Sequence, residues 1–174
     1  MTRYRLLLIV LQAVFGLAAG GQSSLCPTAP EKTLAYELTL VHSQVKADDK
    51  VFVHLTVKNV SSTAVPLWVE NTNDPGGLNY QFEVRDSQGA LVPEAHFSRA
   101  LRGVEDPHFL TSETPLNRSG GCIDLGAGQS RTYTIDVSRL YQMTSPGAYT
   151  IVAVDRKSTG LATALSNPVT VTAP

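Results

Sequence analysis

The chain is short of charge. Asp, Glu, Lys and Arg make up 17% of its 174 residues, against about a quarter in an average globular domain. Neither sign dominates, with 14 Lys and Arg facing 15 Asp and Glu. Such a balance, with its basic residues scattered, leaves no electrostatic footprint for nucleic acid or for an anionic membrane. Aromatic residues are also few, at 7% with a single Trp, and there are two Cys. Neither Cys stands in a CxxC or Cys/His spacing, so no zinc or redox-dithiol signature is present. Gly-x-Ser-x-Gly, His-Glu-x-x-His, the P-loop and the dinucleotide fingerprint are all missing. Their absence removes the local signatures of many hydrolases, metalloproteases and nucleotide-dependent enzymes. No amphipathic helix of useful length can be read. What is present is a 43% hydrophobic fraction, too high for a disordered chain, and a length that suits one domain with a sizeable core.

The single long apolar run lies at the N-terminus. Arg3 and Arg5 precede Leu6 to Ala19, which only Gln12 and Gly16 interrupt, and the small residues Ala18-Ala19-Gly20-Gly21 follow. This is the three-part pattern of a secretory signal peptide over residues 1–21, with cleavage expected after Gly20 or Gly21. The run is about 14 residues long, short of the roughly 20 needed to span a bilayer. The mature chain is therefore expected to be secreted or periplasmic, without stable membrane insertion. Cys26 stands close behind, but Leu25 and Ser23 invert the positions that a lipidation signal requires.

Cys26 and Cys122 are the two cysteines. In an oxidising compartment an even count favours a disulfide. That bridge would close a loop of roughly 95 residues and contribute about 4 kcal/mol in the chain-entropy picture. Two unpaired thiols are the alternative.

After an extended, Pro-containing lead-in at 22–32, apolar and polar residues alternate with period two, as half-buried strands require. Leu34, Tyr36, Leu38 and Leu40 share one face. Val51, Val53, Leu55 and Val57 alternate with Phe52, His54, Thr56 and Lys58. Val65 to Glu70 carries Trp68; Tyr80, Phe82 and Val84 alternate with Gln81, Glu83 and Arg85. Asp86-Ser87-Gln88-Gly89 reads as a turn before the short return Ala90 to Val92. Later come Tyr133, Ile135 and Val137, a short helical turn within Ser138 to Ser145, the apolar run Ala148 to Asp155, and Val169 with Val171. The pattern predicts an all-β fold: an immunoglobulin-like sandwich of about seven strands with one long irregular loop, occupying 33–174 as a single domain. Trp68 on the third strand and Tyr149 after Pro146-Gly147-Ala148 stand where such sandwiches often place a buried tryptophan and a tyrosine corner. An ordinary core tyrosine is the other reading of Tyr149.

The long loop at 93–121 has no clean period. Loops of this length are uncommon in compact domains and are usually functional or disordered. It brings together Phe97, Arg99, Arg102, His108 and Phe109, the residue types that dominate binding hot spots. They are the candidate partner-binding residues, the alternative being aromatics that merely pin the loop. Elsewhere, His42 and His54 fall on strands expected to be neighbours, too few ligands for a metal site, and no cofactor is expected. Asn59-Val60-Ser61 and Asn117-Arg118-Ser119 match the N-glycosylation acceptor pattern.

The stretch Val53-His54-Leu55-Thr56-Val57-Lys58-Asn59-Val60-Ser61, an apolar strand, and then Tyr80-Gln81-Phe82-Glu83-Val84-Arg85-Asp86 before a Gly turn resembles a recurring bacterial extracytoplasmic module. It is similar to the family of the Bacillus intracellular proteinase inhibitor and related immunoglobulin-like domains. The resemblance implies the sandwich fold and, as one possible activity, protease inhibition; the long loop departs from the compact inhibitor pattern, and no inhibitory residue can be placed in this sequence. The expectation is thus an exported, non-catalytic module that binds another protein, through a strand edge or the 93–121 loop, or serves a structural role. The alternatives are a protease inhibitor and a hydrolase whose site is assembled from distant loops.

Overall fold

A computed structural model of the chain describes residues 26–30, 32–46, 49–70, 80–101, 120–156 and 162–173. Leu34, Tyr36, Leu38 and Leu40 turn inward from β1 (Leu34–Leu40), with Leu38 fully buried. β2 (Phe52–Asn59) does the same with Val53, Leu55 and Val57, and its outward residues include His54, Thr56 and Lys58. β1 pairs antiparallel with β2, and the strand Ser130–Asp136 pairs with the other edge of β2. These three form the first sheet.

β3 (Val65–Glu70) leaves β2 through a turn and pairs with β5 (Gly120–Leu125), which leads through a second turn into β6 (Ser130–Asp136). The two pairs make one antiparallel ribbon bent at a corner. Corners of this kind let strands pass from one layer of a sandwich to the other. The bend is held by Asn59, the only polar or charged residue buried among those described. Its Nδ2 donates to the carbonyls of Thr63 at 2.7 Å and Leu125 at 2.8 Å. Its Oδ1 accepts from the Ser61 amide at 2.9 Å and the Ser61 hydroxyl at 2.7 Å. Its backbone bonds Gln129 and Gly128 of the facing turn. Both turns of the ribbon are thereby tied to one side chain.

β4 (Gln81–Arg85) pairs with β7 (Gly147–Arg156). Along its other edge β7 meets first β9 (Val169–Ala173) and then β8 (Ala162–Ala164). Strands lie on both sides of β7, and Tyr149, Ile151, Ala153 and Val154 are buried, as the apolar run Ala148 to Asp155 predicts. Between β8 and β9, Asn167 turns its amide to the other sheet, accepting from the Leu38 N–H and donating to the Leu38 carbonyl, both at 2.9 Å. After β1 the chain also changes sheets, since Gln44 bridges Thr172 of β9 in parallel. A single core cluster spans both layers and the ribbon, from Leu38 and Leu55 to Leu67, Leu125, Phe82 and Ile151. The fold is an all-β, immunoglobulin-like sandwich.

Several sequence expectations change. Nine strands are present among the described residues rather than about seven, because β5 and β8 carry almost no alternating signal. The 93–121 segment is not wholly irregular: it contains the helix α1 (His96–Leu101) and ends in the first residues of β5. Trp68 is not buried; it is 40% exposed, because Val65 and Leu67 take the inward positions of β3. Tyr149 does form a tyrosine corner. Its hydroxyl donates to the Ser145 carbonyl at 2.5 Å and accepts from the Ser145 amide at 3.0 Å, bonding the backbone a few residues upstream as that motif requires. The leader and Asn117-Arg118-Ser119 lie outside the described residues.

Candidate functional site

The base of the 93–121 segment is fixed to one end of the sandwich. A short helix α2 (Val137–Leu140) follows β6, and Asp136 caps it: Oδ1 accepts from the Arg139 amide at 3.2 Å and the Ser138 hydroxyl at 2.6 Å. Asp136 also lies 3.7 Å from the Lys50 ammonium. On this platform Glu94 bridges Tyr141, the Ala95 amide donates to the Leu140 carbonyl at 2.8 Å, and the Gln142 amide donates to the Pro93 carbonyl at 2.9 Å. Tyr141 in turn donates its hydroxyl to the Phe82 carbonyl of β4. The start of the segment is therefore clamped to a backbone that is itself bonded into the second sheet.

α1 lies on this clamp. Ala100 is buried and Phe97 is half-buried against the core. The Arg139 guanidinium sits over the Phe97 ring, 3.7 Å from its centroid, close enough for a cation–π attraction. The Arg99 guanidinium donates to the Glu94 carbonyl at 2.5 Å and lies 3.0 Å from the His96 ring. Of the five candidate binding residues, Phe97 and Arg99 are thus brought onto one short helix. Arg102, His108 and Phe109 lie outside the described residues. Beside the clamp is a surface groove of about 410 Å³ whose lining includes Ala95, Ser138, Tyr141, Gln142 and Met143. Sequence reading missed this groove, because its walls come from segments far apart in the chain and none carries a motif.

Cys26 and Cys122 form a disulfide, with their Cα atoms 5.2 Å apart across a sequence separation of 96. Cys122 is paired across the ribbon with Trp68, so the only tryptophan and the bridge share a face. At another part of the sandwich Tyr36, Tyr80 and Tyr133 adjoin, with ring centroids 6.2 Å and 5.3 Å apart. Burial, reinforced by Tyr133 and Tyr36, raises the Tyr80 phenol well above its ordinary value. Burial also raises that of Tyr133, against opposing pulls from Tyr80 and Arg131.

Among the described residues, His42 and His54 do not converge. His54 faces outward from β2, where its Nδ1 lies 3.0 Å from the Thr134 hydroxyl. His42 lies beyond the end of β1, on the wall of a separate groove with Lys46 and Phe52. Among the described residues no three of His, Cys, Asp and Glu are placed to hold a metal ion, and no helix is long and apolar enough to cross a membrane.

No protein-family model matches the chain, and no curated protein sequence matches it. Solved structures do. The CARDB domain of a Pyrococcus furiosus protein, solved in complex with di-metal ions, is 15% identical with a TM-score of 0.39, covering 80% of this chain and 91% of that one. A β-glucosidase from Erythrobacter marinus is 14% identical with a TM-score of 0.40, covering 81% of this chain. One from Listeria innocua is 13% identical with a TM-score of 0.37, covering 80%. The chain spans 15% and 16% of those two enzymes. At such identities and scores these likenesses assign neither a family nor an activity, and the resemblance to the Bacillus inhibitor family extends no further than the immunoglobulin-like fold.

Proposed function

We propose that this chain is an exported, non-catalytic immunoglobulin-like module that binds another protein through the segment following β4. The observation that carries this reading is the clamp under α1. Pro93, Glu94 and Ala95 are bonded to Leu140, Tyr141 and Gln142, and Phe97 is held beneath Arg139. A segment anchored at its base presents its remaining residues at a lower entropic cost than a free loop. In this reading Phe97 supports the platform from below, while Arg99, Arg102, His108 and Phe109 supply the contact. Export accounts for the leader pattern and for the disulfide, which persists in oxidising compartments.

The test has two arms. Processing is followed in pulse-labelled cells: a mature form beginning near Gly21 or Gln22 is expected outside the cytoplasm, and a full-length cytoplasmic chain would end the export reading. Binding is followed by capturing partners from native extract with the intact chain and with one in which residues 102–119 are replaced by a short Gly-Ser linker. Loss of the same bands with the linker chain is expected. Unchanged capture would remove the segment from the interface.

A further inference from the structure

Asn59-Val60-Ser61 has the acceptor pattern for N-glycosylation, which normally marks a surface loop. In this fold the acceptor atom is enclosed. Asn59 is fully buried. Both hydrogens of its Nδ2 are in use, donated to the carbonyls of Thr63 at 2.7 Å and Leu125 at 2.8 Å. The amide cannot simply be turned over. Its Oδ1 is held by the Ser61 amide at 2.9 Å and the Ser61 hydroxyl at 2.7 Å, and flipping would point Oδ1 at two carbonyl oxygens, which cannot donate. The serine of the tripeptide is committed as well, its hydroxyl lying 2.9 Å from the Thr63 carbonyl.

Glycosyl transfer replaces one Nδ2–H bond with a bond to the sugar's anomeric carbon, whose bond to the lipid-linked pyrophosphate breaks; the pyrophosphate leaves with the bonding pair and the proton is released to a base of the transferase. A modified Asn59 would retain one hydrogen for two buried carbonyls, and the sugar would need the space now filled by Thr63 or Leu125. We propose that Asn59-Val60-Ser61 is a corner knot whose native closure and glycosylation exclude each other. This exclusion does not rest on the export proposed above.

The experiment sends the full mature chain, carrying Asn117→Gln to remove the second acceptor pattern, through a glycosylating eukaryotic secretory pathway behind a heterologous leader. Secreted and retained chains are sorted by protease resistance and by disulfide closure, and Asn59 is mapped by mass spectrometry in each fraction. The folded fraction is expected to carry unmodified Asn59, with any glycan confined to protease-sensitive chains. Blocking glycan transfer with an inhibitor is expected to leave the folded yield equal or higher, never lower. A protease-resistant, disulfide-closed fraction carrying a glycan at Asn59 would overturn the proposal. Because the leader is borrowed, failure of the native export signal would show only in the processing assay and not here.

Discussion

At Asn59 one side chain closes two turns, and its removal strands several groups at once. Asn59→Ala leaves the Leu125 carbonyl and the Ser61 amide without the partners shown in the structure and takes one of two donors from the Thr63 carbonyl. Each buried polar group left unpaired costs about 1–3 kcal/mol, so a loss of about 3 kcal/mol or more is expected in urea unfolding at pH 7. A loss under about 1 kcal/mol, the ordinary net value of one hydrogen bond, would mean that the corner is held by something else. Two further residues separate burial from appearance. Tyr149→Phe deletes both bonds to Ser145 and is expected to cost about 1–2 kcal/mol. Trp68→Ala is expected to cost about 1 kcal/mol, well under the 3–5 kcal/mol of a buried aromatic, because Trp68 is 40% exposed. The ranking, Asn59 above Tyr149 above Trp68, is the reverse of what hydrophobicity alone would suggest, and parallel denaturant titrations read it directly.

At the scale of elements, legibility followed local periodicity. β2 was plain in the sequence because Val53, Leu55 and Val57 alternate with polar residues over a full strand. β5 was not, because Gly120-Gly121-Cys122-Ile123-Asp124-Leu125 offers only Ile123 and Leu125 as inward apolar positions. What makes it a strand is its pairing with β3 and the lock at Leu125, neither of which is local. The clamp was hidden for the same reason: α1 is six residues long, too short to hold alone, and it rests on Leu140 and Arg139 about forty residues away. Two consequences follow for this end of the molecule. Arg139→Ala removes the cation over Phe97 without touching the segment's own sequence. A loss of about 1 kcal/mol in stability is expected, with weaker partner capture if a preorganised segment is what binds. Full capture by a chain whose α1 amides exchange faster would show that the clamp is irrelevant to binding. On the ribbon, Cys26→Ser with Cys122→Ser is expected to cost about 4 kcal/mol. Because Trp68 faces Cys122, its fluorescence should rise when the bridge is reduced under conditions where the chain stays folded.

At the scale of the whole molecule, two tyrosines raised by burial predict an alkaline pH response. Tyr80, just before β4, and Tyr133 of β6 bring their rings together, 5.3 Å between centroids, and have phenols raised by burial. An unfolded tyrosine ionises near pH 10. Below that pH both states keep the proton and stability does not depend on these groups. Above it the unfolded chain loses protons that the folded chain retains, so fewer protons are bound in the unfolded state and stability falls as pH rises. Each tyrosine that stays neutral contributes a slope of at most about 1.4 kcal/mol per pH unit. Urea midpoints measured between pH 8 and 11.5 are therefore expected to hold level to about pH 10 and then drop. Lysines lose charge in the same range, so the comparison that matters is with Tyr80→Phe, which keeps the ring against Tyr133 but cannot ionise. That variant should begin lower or level at pH 8 and then decline less steeply, because one of the two raised phenols has been removed. Parallel declines in the two proteins would assign the alkaline loss to other groups and would leave the tyrosine cluster as packing alone.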